Sequence, residues 1–270
     1  MNLGLVIIGD EILSGKRADK HLTKAIELLG VRGLQVAYAD YVGDSPERII
    51  GTLKRAFASG DIVFSFGGIG ATPDDHTRQC AARALGVELA LHPQAALLIR
   101  ERMQDVAREN GLPYEPQRDD NIHRLNMGMF PVGAGIIPNP FNKIPGFSCA
   151  GSDAGHVHFV PGFPVMAWPM LEWVLDTLYP HLFTENAWVE QSVIVFGAME
   201  ATLTPLMEQL EREHHPVKVI SLPSVDHPQY GRHIELGVKG DPALVARAYT
   251  ELLAGLRKAE VPLGPELVRP

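Results

Sequence analysis

The tightest limit on how this chain folds comes from short segments of strand composition that each stop at a glycine and run into acids. Leu3–Ile8 is apolar apart from one glycine and leads into Gly9-Asp10-Glu11; Leu34–Val42 leads into Gly43-Asp44; Asp61–Phe66 leads into Gly67-Gly68. Helical patterns separate them. Leu22, Ala25, Ile26 and Leu29 recur at helical spacing, with Gly30 where a helix stops. Ser45-Pro46 offers an N-cap and a first-turn proline for a helix reaching about Ser59. Such alternation predicts an α/β domain with a mostly parallel sheet and helices on both faces. Ligands in these sheets lie beyond the carboxyl ends of the strands, so the polar loops after the first and third strands are the places to expect a site.

The third strand should lead through a glycine loop into a helix ending near Leu85, then a short Val87–Leu91 segment and a polar helix to about Asn110. Gly111–Asp120 reads as an exposed loop, and Ile136–Phe147, with its three prolines, as ordered but irregular chain. Strand character returns at His156–Val160 and helical character at Pro164–Leu178. Composition shifts around Tyr179–Ala187. Beyond it the pattern predicts a strand at Trp188–Phe196, a helix at Ala201–Glu213, strands at Val217–Leu222 and His233–Val238, and a helix at Pro242–Lys258. The expected organisation is an α/β domain over 1–178, a small α+β subdomain over 187–259, and a loose Pro-rich tail over 260–270.

The 270 residues, of which 46% are hydrophobic, suffice for a large domain with a small companion. A formal net charge of −8 with no Lys/Arg run argues against a nucleic-acid partner. An anionic ligand then needs a local device, such as backbone N–H groups or a cation. The N-terminus lacks a basic leader, and its apolar run is too short for a signal or a membrane span. Cys80 and Cys149, the only cysteines, cannot form a disulfide framework or a cysteine zinc site. A cytoplasmic protein without a membrane segment is expected.

Gly67–Thr77, GGIGATPDDHT, is the strongest chemical signal. Gly67, Gly68 and Gly70 permit positive φ and close approach of backbone to ligand. Thr72 is placed to N-cap the next helix, with Pro73 at its first position and Asp75 three residues on, and the amides of that turn form an anion site. Thr-Pro-Asp-Asp is equally good helix-start chemistry with no ligand. What favours a ligand is a pair of carboxylates, Asp74 and Asp75, beside a phosphate-sized loop: bare acids repel phosphate unless a hard cation bridges them. The dinucleotide fingerprint fails for want of its third glycine. Gly9–Lys16 fails as a Walker A loop, because its glycines are spaced too far apart and Arg17 stands for the Ser/Thr. That segment still offers Asp10 or Glu11 as a metal ligand or base and Lys16 as a phosphate contact, while Asp44 follows the second strand. Three acidic loops on one sheet edge would form a divalent-metal site. His156 and His158 share a strand face but lack a third zinc ligand by spacing. His76 is a candidate substrate contact within the glycine-loop motif.

GDEILSGK, VGDSPERI (Val42–Ile49), GGIGATPDDHT and PGFPVMAWPM (Pro161–Met170) together resemble the ordered motifs of the competence/damage-inducible protein A (CinA) family. That family's N-terminal region belongs to the wider MoaB/Mog-like molybdopterin-binding fold. The resemblance covers essentially the whole chain. The deamidase domain of many relatives would lie beyond Pro270, so deamidase activity is not expected. Three local departures stand out: Asn142-Lys143 where the family has Gly-Thr, Asn126-Met127 in place of Lys-Gln, and Val165-Met166 in place of Ser-Glu.

The resemblance implies a three-layer α/β fold and a ligand that joins phosphate to a flat ring, either an adenine dinucleotide or a pterin. It implies Glu11, Asp44, Asp74 and Asp75 as metal-site acids for Mg²⁺, Mn²⁺ or Co²⁺. Asp74, Asp75 and Glu11 would be catalytic. Gly67, Gly68, Gly70, Thr72 and Thr77, with Lys16, Pro161 and Gly162, would hold phosphate or ligand. The leading expectation is a metal-dependent pyrophosphatase on ADP-ribose- or FAD-like molecules. The alternatives are a molybdopterin-binding or adenylylating protein and a non-catalytic ligand-binding module. A homo-oligomer, dimer or trimer, is expected from the resemblance.

Overall fold

The computed structural model describes residues 2–184 and 189–269. Chain contacts divide it into two compact units, one built from residues up to Leu29 and from Leu34–Leu182, the other from Gly30–Gly33 and the remainder. The expected domain boundary at 187 and the start of the Trp188 strand lie outside the described residues.

In the first unit, β1 (Leu3–Ile8), α1 (Asp10–Leu13), α2 (His21–Gly30), β2 (Tyr38–Val42), α3 (Pro46–Ala58), β3 (Ile62–Phe66), α4 (Thr77–Leu85), β4 (Leu89–Leu91), α5 (Pro93–Glu109) and α6 (Asp119–Arg124) follow in order. Then come β5 (Met129–Pro131), β6 (Gly135–Ile137), β7 (Gly146–Ala150), β8 (His156–Val160) and α7 (Pro164–Leu178). The central sheet has the order β2-β1-β3-β8-β7-β6. Its first four strands are parallel, and β7 and β6 run antiparallel to their neighbours. All six residues of β1 and all five of β3 are buried, as expected for parallel strands covered on both faces. Val6, Ile8 and Val63 share a core with Leu53, Phe57 and Ala81 of α3 and α4. On the opposite face Phe66 stacks on His21 of α2 (4.5 Å between ring centroids) and Phe64 meets His158 (5.2 Å). The result is the expected three-layer α/β fold.

Four features of the first unit differ from the sequence reading. The second strand begins at Tyr38, not Leu34, because the register with β1 starts at Gly4–Tyr38 and only the Ala37 N–H reaches β1 before it, at the Leu3 carbonyl (2.8 Å). The irregular chain expected over 136–147 contains most of β6 and the start of β7, and the exposed loop expected to reach Asp120 ends in the start of α6. Most important for the site, α4 begins at Thr77, five residues after Thr72.

The second unit contains β9 (Val189–Val195), α8 (Glu200–Glu213), β10 (Lys218–His227), β11 (Gly231–Gly240), α9 (Pro242–Lys258) and β12 (Leu263–Arg269). Its sheet is antiparallel, in the order β10-β11-β9-β12. The tail expected to be loose is instead an edge strand, β12. Pro265 is tolerated there because an edge strand leaves N–H groups unpaired and the β12–β9 register shifts between Leu263 and Glu266. Among the described residues no helix is long and apolar enough to cross a membrane.

Candidate functional site

The parallel registers align the carboxyl ends of four strands: Ile8 pairs with Val42, Ile7 with Phe66, and Phe66 with Val160. The GDEILSGK, VGDSPE, GGIGATPDDHT and PGFP segments therefore leave one edge of the sheet. Two hydrogen bonds extend the sheet into these loops: the Gly9 N–H donates to the Val42 carbonyl (3.0 Å), and the Gly67 N–H to the Val160 carbonyl (3.0 Å).

Gly67–Thr77 is an outward loop closed at its base. The Thr77 N–H donates to the Gly68 carbonyl (3.0 Å), and its buried hydroxyl donates to the Gly67 carbonyl (3.1 Å). Gly67 (φ 100°) and Gly68 (φ 68°) occupy conformations that favour glycine. A Cβ on Gly67 would sit 2.4 Å from the Ile8 carbonyl oxygen, and one on Gly68 2.1 Å from Thr77 Oγ1. The glycines let the loop cross the ends of β1 and β3 in direct contact.

The structure corrects the role expected of Thr72. Thr72 does not cap a helix; its N–H (2.9 Å) and hydroxyl (2.6 Å) both donate to Asp75 Oδ2, closing a tight turn within the loop. His76 occupies the N-cap position of α4 with no side-chain cap. Physically, the Asp75 carboxylate satisfies the turn two residues before the helix begins, so the capping-box pattern folds as a turn. The exposed amides belong to the loop, not to a helical first turn.

The acids divide by partner. The Asp10 N–H donates to Asp44 Oδ2 (2.9 Å) and the Asp44 N–H to Asp10 Oδ1 (3.1 Å), a reciprocal brace between the loops after β1 and β2. Glu11 lies 3.7 Å from the Arg17 guanidinium. Asp74 is exposed, and hydrogen bonding within the Thr72 turn, its own amide included, holds its carboxyl below the usual range. Asp44 is raised above it, first by burial and then by the charges of Asp10, Glu11 and Asp74, against the lowering effect of the Asp10 amide. Three acidic loops thus converge electrostatically. Among the described residues, however, no three His, Cys, Asp or Glu side chains are close enough to form a ready-made metal site. This donor set fits a hard cation that keeps several waters and takes one or two carboxylates together with phosphate oxygens. It does not fit a metal caged by protein alone.

Beside the glycine loop is a cleft of about 240 Å³ lined by Ile8, Glu11, Arg17, His21, Phe66 and Phe163 among others. Of the two expected ligand residues Pro161 and Gly162, only Gly162 lines the cleft, and a Cβ on it would lie 3.5 Å from Gly67 Cα. Lys16 is exposed on the loop after α1 and does not line the cleft. Arg17 does, with its guanidinium 6.0 Å from the exposed Phe163 ring.

Sequence reasoning missed three supporting residues. His21 is buried, and its Nε2–H donates to the Gly162 carbonyl (3.1 Å), tying the PGFP loop to β3 through Phe66. Burial lowers its pKa against the opposing effects of Gly162 and Asp19, which favours the neutral ring. Asp19 caps α2 through the His21 (2.8 Å) and Leu22 (3.1 Å) amides and accepts from the Tyr41 hydroxyl (2.9 Å). An aspartate two residues before a helical pattern was the available signal. Arg78 lies in the first turn of α4 and is 3% exposed. His156 and His158 form no metal pair: His158 bridges Ser148 and Tyr179, at 2.7 Å to each.

A model of the family described as a probable molybdopterin binding domain matches residues 4–181. The chain belongs to that family. It is 32% identical over 223 residues to a CinA-like protein of Citrifermentans bemidjiense, covering 81% of this chain and 50% of that protein. A Pyrobaculum calidifontis protein is 29% identical over 235 residues, with 85% of each chain covered. The crystal structure of CinA from Thermoplasma acidophilum superposes with a TM-score of 0.54 at 27% identity, over 65% of this chain and 96% of that one. The chain spans about half the length of the CinA-like bacterial relatives it matches, 50% and 48% of two of them. The CinA resemblance and the α/β fold of the first unit therefore stand as findings.

Proposed function

We propose that this chain hydrolyses the diphosphate of an ADP-ribose- or FAD-like dinucleotide at the carboxyl edge of its parallel sheet. One observation carries the reading: an amide-lined glycine loop with positive φ lies on the same edge as acids whose charges already repel one another. Loop amides take up negative charge on phosphate oxygens, and acids in mutual repulsion are relieved by a cation that arrives with the phosphates. One or two of Asp44, Asp74 and Glu11, together with the phosphate oxygens, would hold Mg²⁺ or Mn²⁺, which would supply charge neutralisation and an acidified water. Asp75 keeps Thr72 turned so that the loop stays open, and the Gly68–Ala71 backbone between the two committed amides would stabilise charge growing on the diphosphate. At about 240 Å³ the cleft is smaller than a whole-ligand pocket, so it would take one ring of the substrate against Phe66 and Phe163.

The test is AMP release from ADP-ribose, FAD and NADH with Mg²⁺, Mn²⁺ or Co²⁺. Asp74→Asn should lower release by about 100-fold or more while leaving the melting temperature unchanged, because Asp74 is exposed and makes no core contact. No AMP with any pairing of substrate and metal would sink the hydrolase. The family description favours a second reading, pterin binding without hydrolysis. A fluorescent pterin that co-purifies and saturates the cleft would establish that alternative.

A further inference from the structure

Arg78 is 3% exposed, yet among the described residues it forms no ion pair. Its Nη1–H donates to the Ile69 carbonyl, and its Nε has no hydrogen-bond partner. Buried cations are ordinarily paired, because removing a charge from water is costly unless a counter-charge compensates it. Asp75 is the acid whose charge reaches Arg78, and its Oδ2 is already committed to Thr72. The guanidinium lies against the glycine loop with Asp75 acting on it only at longer range, no direct ion pair, and an unsatisfied Nε–H.

The Ile69 contact has a geometric consequence. In a trans peptide the C=O and the following N–H point in opposite directions. By holding the Ile69 carbonyl, Arg78 fixes the orientation of the following Gly70 N–H, which points the opposite way from that carbonyl. We propose that Arg78 is a positioning residue whose buried charge and carbonyl contact give the Gly67–Thr72 loop its affinity for phosphate, the bound phosphate being the counter-ion the guanidinium lacks. The inference rests on the reading of that loop as the phosphate site, but not on hydrolysis.

The experiment measures inorganic pyrophosphate binding, with and without Mg²⁺, to the full chain and to Arg78→Gln and Arg78→Lys, following heat of binding and the Gly70 amide resonance. Gln keeps an N–H donor for the Ile69 carbonyl and removes the charge; Lys keeps the charge. Arg78→Gln should retain a Gly70 resonance near wild type, yet bind about tenfold more weakly or worse, with a shallower salt dependence. Arg78→Lys should recover most of the affinity, a rescue that a packing role would not produce. Equal pyrophosphate affinity and salt dependence in wild type and Arg78→Gln would overturn the inference. Wild type that fails to bind pyrophosphate would overturn both the inference and the phosphate loop. Wild type that binds pyrophosphate but releases no AMP from any dinucleotide would sink the hydrolase and leave Arg78 in place.

Discussion

At the scale of single residues, the glycines of the loop are not interchangeable. A Cβ on Gly67 meets the Ile8 backbone oxygen at 2.4 Å, which cannot move without disturbing β1. A Cβ on Gly70 meets Asp75 Oδ2 at 2.5 Å, the end of a flexible side chain. Gly67→Ala should therefore cost about 2 kcal/mol or more, and Gly70→Ala well under that, in urea unfolding of the first unit. A reversed order would mean that the loop is not pinned to the strand end. The sequence marks these glycines, the acids and Asp44 clearly, because motif spacing survives in one dimension. Arg78 and His21 are invisible to it. Their roles depend on burial and on carbonyls at Ile69 and Gly162, which only the folded chain brings near.

At the scale of elements, the point of interest is where a helix begins. Thr72-Pro73-Asp74-Asp75 satisfies the rules for a helix start, and Pro46, Pro93, Pro164 and Pro242 do open helices. The loop differs because Thr77 returns to Gly67 and Gly68, which fixes the helix start from below. Asp75→Ala should release the Thr72 amide and speed its hydrogen exchange by about tenfold, while Asp75→Asn retains an acceptor and changes it little. Equal protection in all three proteins would show that the turn does not depend on the carboxylate. Helices with strong periods were legible almost to the residue; Pro164–Leu178 matches the expected bounds. The short antiparallel strands β6 and β7 were not, since prolines and glycines mask a strand whose pairing is entirely long-range.

At the scale of the whole molecule, pH should act through a group remote from the site. His158 is fully buried between Ser148 and Tyr179, and burial, aided by the nearby His156, pushes it down to about 3 from the ordinary 6.5. Above pH 6.5 it is neutral in both folded and unfolded chains and adds no pH dependence. Between 6.5 and 3 the unfolded chain takes up a proton that the folded one refuses, so stability falls as pH falls. The contribution is at most about 1.4 kcal/mol per pH unit. Melting temperatures between pH 7 and pH 5 should decline more steeply for wild type than for His158→Gln, which cannot titrate. Parallel declines would exclude His158 as the source.

The brace between Asp10 and Asp44 joins two positions thirty-four residues apart into one inheritable unit. Each carboxylate seats the other's amide, so the first substitution loosens both loops and the second finds little left to lose. A double-mutant cycle on Asp10→Ala and Asp44→Ala should be strongly sub-additive. In a lineage drifting away from its ligand the two aspartates should disappear together, not one at a time.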